Sequence, residues 1–422
     1  YRSTYTNRHG ESSVMASTFF CATTARKCLP CWDEPLRKAT FTCSLTVPAH
    51  LTALSNTPEL STSAAQGGDG MKCVRFEPTP RMSTYLLAFV VSDLDVLSAR
   101  SASGVLCRVF TPPGKAQLGQ WALDHAVLAL DRFADLFGVA YPLPKADLVA
   151  LPEFSMGAME NWGLVTYRET KLLLAEGASP AQRQGVAETV IHEIAHQWFG
   201  NLVTMAWWDD IWLNEGFATW METHVCAGAH ADWQKWDQFV ANTQGGALAR
   251  DALRSSHPIQ LPMERAEQVD ECFDAISYLK GASVIRMLYA FVGEAAFFEG
   301  LKSYMQAFRY GNAQTHDLWQ CLEAASGKKV GDIASDWTRQ QGFPLLTLER
   351  IGPSHNGRCR IVLRQEWYQG DGAPVATEDA KAWSIPVFIA GAGAGSARPP
   401  LPGALPLAGN GDGTTDSPLL KL

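Results

Sequence analysis

His192-Glu193-Ile194-Ala195-His196, with Glu215 after eighteen intervening residues, fixes how the middle of this chain must fold. Residues four apart on a helix share one face, so His192 and His196 can turn ring nitrogens toward one point, with Glu193 beside it. Apolar residues at Val190, Ile191, Ile194, Ala195, Trp198 and Phe199 predict a buried helix over 179–199, with Gly200-Asn201 as its stop. Beyond Trp207-Trp208-Asp209-Asp210-Ile211-Trp212-Leu213, the run Asn214 to Trp220 reads as the start of a second helix, with Glu215 in its first turn. A His, His, Glu set is a catalytic zinc pattern, three protein ligands for one ion with a fourth position left for water. Alone, Glu215 would serve equally well as a charge favoured at a helix N-terminus; beside His192 and His196 the ligand reading prevails.

The 422 residues suffice for two or three domains, and 46% hydrophobic residues with 14 Trp and 19 Phe place the chain among globular proteins. The net charge of -8, with no basic stripe, argues against a nucleic-acid partner. The longest apolar run, Tyr85 to Val91, is far too short to cross a bilayer and reads as a buried strand, so no membrane segment is expected. Ten cysteines form no regular framework. Cys28-Leu29-Pro30-Cys31 is the one C-x-x-C and reads as two ordinary buried thiols, which suits a reducing, cytoplasmic setting. The chain opens at Tyr1-Arg2-Ser3 with no initiator Met and no export leader, as a fragment lacking the start of its N-terminal domain would.

Three regions follow one another. Residues 1–103 consist of short β-branched and aromatic runs between turn clusters, such as Ala39 to Val47 before Pro48, and predict part of an antiparallel β domain. Residues 104–342 carry long helical patterns at 118–137, 179–199, 215–228, 278–292 and 294–310, a mainly helical catalytic domain. Residues 343–422 hold strand-like runs at 345–348, 358–364 and 383–389, which suggest part of a small C-terminal β-sandwich, then a Gly/Ala/Pro-rich tail from 391 to 418. The fold class is thus multidomain α+β.

Gly157-Ala158-Met159-Glu160-Asn161 precedes the zinc helix and leads into Trp162 to Tyr167, a predicted strand. With this motif in place the chain resembles the gluzincin zinc aminopeptidases, in which GAMEN precedes HEXXH and a further Glu. Cys31-Trp32-Asp33-Glu34-Pro35, Tyr141 to Lys145 and Phe273 to Ser283 extend the resemblance nearly end to end, and Asn161 to Thr170 is most similar to the puromycin-sensitive branch. The resemblance implies a thermolysin-like catalytic domain and one zinc ion on His192, His196 and Glu215. It implies Glu193 as the base that takes a proton from zinc-activated water and Tyr278 as the donor to the developing oxyanion. Gly157, Ala158, Met159, Glu160 and Asn161 would bind the substrate, with Glu160 on the free α-ammonium. Read without the family, Tyr278 is a packing aromatic and Glu160 a surface loop acid.

The implied function is hydrolysis of N-terminal residues from peptides with a free N-terminus. One departure stands out. Family members commonly read T-Q-F-E-A-T-D-A-R where this chain has Thr18-Phe19-Phe20-Cys21-Ala22-Thr23-Thr24-Ala25-Arg26, so Phe19 replaces a Gln and Cys21 a Glu of the first-residue pocket. That predicts weaker amine anchoring and a more apolar pocket. It also keeps open an alternative, a relative that retains zinc but only binds peptides. An epoxide hydrolase of the same fold would carry Gly-Gly-Met-Glu-Asn, against Ala158 here.

Overall fold

The computed structural model describes residues 1–7, 9–65, 70–352 and 361–388 and the backbone of 419–420. In the N-terminal region the strands Arg2–Thr6, Ser12–Ser17, Phe89–Ser92 and Thr52–Ser55 hydrogen-bond in that order, all antiparallel. A second antiparallel sheet joins Ser44–Pro48, Met71–Phe76 and Glu59–Ala64 over a small core of Val47, Ala53, Val74 and Phe76. The run expected as one strand over 85–91 divides: Thr84–Leu86 is a tight 3-10 turn and only Phe89–Ser92 is strand. Asn56 reaches into that turn, donating to the Leu86 carbonyl at 2.7 Å and accepting from Ala88 N at 2.9 Å, which holds the chain out of the ladder.

The middle region begins with a five-stranded sheet in the order Ala158–Met159, Leu164–Arg168, Lys145–Leu151, Leu106–Thr111, Asp95–Arg100. Its three central strands are parallel and both edges antiparallel. Because Asp95–Arg100 pairs with Leu106–Thr111, this sheet reaches back across the boundary expected at residue 103. Every residue of the central strand Lys145–Leu151 is buried, as a strand covered on both faces requires.

Helix α1 (Gln120–Phe137) turns Ala122, Ala126, Ala129, Leu130, Phe133 and Phe137 inward at helical spacing and ends on Gly138, whose φ of 62° is the left-handed cap conformation. Helix α2 (Pro180–Ala195) starts on a capping box between Ser179 and Gln182 with Pro180 in its first turn. It ends at Ala195, earlier than the apolar pattern predicts. Asn201 N, Leu202 N and Val203 N reach back five residues, to His196, Gln197 and Trp198, so the chain opens into a wide turn instead of continuing the helix. Helix α3 (Trp212–Ala229) is buried on nearly every side, with Trp212, Phe217 and Trp220 fully enclosed.

In the C-terminal region Pro344–Ile351 pairs antiparallel with Ile361–Trp367, and Ile385–Pro386 pairs with Leu419–Leu420. The expected Gly/Ala/Pro-rich tail lies outside the described residues apart from 419–420, which follow it. Cys28 is exposed and Cys31 half-buried, against the expectation of two buried thiols. Their loop is anchored through Asp33, whose carboxylate accepts from Arg26 N at 3.1 Å and Thr84 Oγ1 at 2.6 Å. Among the described residues no single helix is long and apolar enough to cross a membrane.

Candidate active site

Helix α2 brings His192 and His196 onto one face, their Nε2 atoms 3.1 Å apart, and α3 presents Glu215 Oε2 at 3.4 and 3.3 Å from them. A tetrahedral ion with ligand bonds of about 2.0–2.1 Å holds its ligand atoms roughly 3.3 Å apart, so these three atoms already outline one face of such a site. The outer hydrogen bonds orient both rings. His196 Nδ1 donates to the Phe199 carbonyl at 3.0 Å and His192 Nδ1 donates to Glu222 Oε2 at 2.8 Å. With the protons drawn to Nδ1, two Nε2 lone pairs face the Glu215 carboxylate, an arrangement that a cation would relieve. Glu215 Oε2 is buried and receives no hydrogen bond among the described residues.

Glu222 is the member that sequence reading missed. It lies two helical turns beyond Glu215 on α3, on the same face, and that spacing was the available signal. In the metal-free protein desolvation opposes the charging of His192, yet the nearby Glu215 and Glu222 carboxylates outweigh it and hold its pKa well above the usual range. Burial pushes Glu215 up, but the nearness of His196 and then of His192 outweighs it and brings the carboxyl down to about 2.

Two further carboxylates border the same point. Ligand atoms of Glu160, Glu193 and His196 lie within 4.8 Å of one another. Burial raises the Glu193 carboxyl to about 8 despite His192 and His196, and Glu193 Oε2 has no hydrogen-bond partner among the described residues. Burial likewise raises Glu160, with His196 pulling it down and Glu215 adding to the rise.

Tyr278 arrives from a short π-helical turn, Ile276–Lys280, with its ring parallel to that of His192 at 6.2 Å between centroids. Asp274 starts the turn by accepting from Ile276 N at 2.9 Å and Ser277 N at 3.3 Å, and its other oxygen accepts from His257 at 3.0 Å. The turn can press against α3 because two glycines meet there: a Cβ on Gly216 would lie 3.1–3.2 Å from Gly281 backbone. Burial raises the Tyr278 hydroxyl well above its usual pKa, so it stays a proton donor at neutral pH.

The Peptidase family M1 domain matches residues 121–337, just over half of the chain, and the Peptidase M1 N-terminal domain matches residues 1–86. The chain belongs to peptidase family M1. It is 45% identical over 395 residues to a puromycin-sensitive aminopeptidase of Caenorhabditis elegans, covering 92% of this chain and 41% of that protein. It is 48% identical over 374 residues to aminopeptidase M1-B of Oryza sativa subsp. japonica, 88% of this chain and 42% of the relative. Against aminopeptidase 2, mitochondrial, of Saccharomyces cerevisiae the identity is 45% over 392 residues, 92% of this chain and 40% of the relative. The chain spans about two fifths of the length of these relatives.

In this M1 chain a cavity of about 890 Å³ is walled by both regions. The middle region contributes Ala158, Met159, Glu160, Glu215 and Tyr278; the β region contributes Phe19 and Cys21, the two departures from the family pattern. Phe19 is wedged edge-on between Tyr1 and Phe154, at centroid distances of 6.1 and 5.6 Å. Burial raises the Cys21 thiol well above its usual pKa, and Glu160 adds to the rise, so the position is neutral. Ala158–Met159 forms the edge strand of the five-stranded sheet. A Cβ at Gly157 would meet nothing within 4 Å, so the protein itself does not demand a glycine there. Asn161 is fully buried and donates to the Leu164 carbonyl at 3.3 Å and Thr166 Oγ1 at 3.2 Å; it shapes the loop behind Glu160.

Proposed function

We propose that this chain carries the catalytic centre of a zinc aminopeptidase that removes N-terminal residues from peptides with a free α-amine. The observation that carries this reading is the convergence of Glu160, Glu215 and Tyr278 on one cavity beside the His192–His196 pair. His192, His196 and Glu215 would hold one zinc ion. Zinc bound this way, with a position open, supplies acidification of a water and polarisation of the scissile carbonyl.

Glu193 takes the proton from the attacking water and passes it to the departing amine. Its burial, which raises its proton affinity, suits both halves of that task. Tyr278 donates to the oxygen on which charge develops. Glu160, buried and at the cavity wall, accepts from the substrate's α-ammonium. The edge strand Ala158–Met159 offers backbone groups to an extended peptide, with Gly157 and Asn161 holding its ends. The partners of the whole protein are then peptides, with no role for nucleic acid. None of the nine described cysteines is disulfide-bonded, which supports a reducing, cytoplasmic location.

The test is turnover of a panel of aminoacyl-fluorophore substrates by the zinc-loaded, full-length protein, with Glu193→Gln alongside. Turnover that vanishes in the variant, with zinc content unchanged, is the expected result. No turnover above the variant's on any substrate would favour a zinc-retaining peptide binder, which the loss of a pocket carboxylate at Cys21 would then explain.

A further inference from the structure

We infer that Gln197, assisted by Asn201, is a positioning residue that sets the reach from the Glu160 carboxylate to the metal-binding face of α2 and so limits release to one residue. The inference rests on the aminopeptidase reading above.

The Gln197 amide is spent entirely on backbone next to the chemistry. Its Nε2 donates to the carbonyl of Glu160 at 3.0 Å and to that of Glu193 at 3.1 Å, and its Oε1 accepts from Gly163 N at 3.3 Å. Asn201 Nδ2 adds a second donor to the Glu160 carbonyl at 2.8 Å, which fills both lone pairs of that oxygen. Gln197 and Asn201 are fully buried. One side chain therefore ties the backbone of the proposed amine anchor to the backbone of the proposed base, and it follows the ligand His196 directly in sequence.

Glu160 needs such a tie. The edge strand ends at Met159, whose partner is Thr166, so Glu160 lies one residue past the last rung of the sheet. The sheet holds Ala158 and Met159; the two amides from the turn after α2 hold Glu160 and Gly163. A buried glutamine with a purely structural task could satisfy any stranded carbonyls. Here it selects those of the two residues whose carboxylates border the same point, together with the amide at the far end of the Glu160–Gly163 loop. Successive residues of an extended substrate lie about 3.3–3.6 Å apart, so releasing one residue instead of two depends on holding that carboxylate to within a fraction of this step.

The experiment uses the zinc-loaded, full-length protein with Gln197→Met, which keeps the volume and removes all three hydrogen bonds, and Asn201→Leu as a second variant. Loss of bonds to buried carbonyls predicts a rise in KM for aminoacyl substrates of about tenfold, with kcat held within about threefold. The preference for free over N-acetylated termini should fall by a similar factor. Mass spectrometry of a peptide digest should show dipeptides released beside single residues, and amide exchange over 157–166 should quicken in the metal-free protein. A variant that folds, keeps its zinc and still releases only single residues with unchanged KM would overturn the assignment. So would joint loss of kcat and zinc, which would place the effect in the metal site. If Gln197→Met does not fold, Asn201→Leu is judged by the same outcomes. Absence of turnover by the parent protein would overturn the aminopeptidase reading and this assignment with it; turnover by the parent with unaltered variants would overturn this assignment alone.

Discussion

Glu222 Oε2 accepts from His192 Nδ1 at 2.8 Å, from the same helix that carries Glu215 two turns earlier. One helix thus supplies a carboxylate to each side of the His192 ring. Glu222→Gln keeps the size but weakens the acceptor, and metal affinity should fall about 10- to 100-fold, the usual cost of losing such a partner. Competition against a chelator of known affinity measures it; an affinity within twofold of the parent would remove Glu222 from the site's support.

Cys21 and Phe19 make the pocket wall less polar than the family pattern. Phe19→Gln with Cys21→Glu should lower KM for aminoacyl substrates severalfold by placing a second carboxylate near the ammonium. The same change sacrifices the ring contacts of Phe19 with Tyr1 and Phe154, each worth about 0.5–1.5 kcal/mol, so the thermal midpoint should fall. An unchanged KM would show that neither position meets the amine.

Gly163 joins the two regions at a point where no side chain fits. Its φ is +78°, and a Cβ there would stand 2.3 Å from the Asn56 carbonyl oxygen. Asn56 in turn donates to the Trp162 carbonyl at 2.9 Å, and Lys145 donates to the carbonyls of Ser55 and Gly163. Gly163→Ala should destabilise the protein by about 3 kcal/mol or more, read from denaturant unfolding, through left-handed strain plus a backbone clash. A loss below about 1 kcal/mol would mean that the junction yields easily.

His224 carries an acid-sensitive share of the stability. It is packed against Trp220 and Phe298 at centroid distances of 4.9 and 5.4 Å, and burial lowers its pKa to about 4. The unfolded chain protonates this ring near pH 6.5 while the folded one leaves it neutral. Stability present above pH 6.5 is therefore lost as the pH falls toward 4, by up to about 3 kcal/mol. In metal-free protein His224→Phe should lose less stability than the parent between pH 6.5 and 4.5; parallel curves would contradict the assignment.

The His192, His196 and Glu215 cluster and its helical setting were legible because a metal-site pattern imposes a fixed spacing on a helix of fixed pitch. For Glu222 the seven-residue spacing from Glu215 was a signal too weak to single it out, since a partner at a ring's far nitrogen can come from any acceptor within reach. Gln197 was silent in sequence: its task is set by where the loop after Met159 passes, a tertiary fact. The early end of α2 escaped because apolar Trp198 and Phe199 are buried whether or not the helix continues, so periodicity does not register the five-residue bonds that replace it. The divided strand at 84–92 failed for a similar reason, with Asn56, remote in sequence, deciding the local backbone.

The cavity wall at Phe19 and Cys21 comes from one short stretch of the β region, whereas His192, His196, Glu215 and the carboxylates beside them all come from residues beyond 157. On the proposed reading, the stretch that tunes the cleft is thus separate in sequence from the groups that would do the chemistry. Under that reading a graft of the 18–26 segment from another family member would shift which termini the cleft prefers while leaving the proton-transfer residues in place, and Met159 and Glu160, which share the cavity wall, would bound the size of the shift.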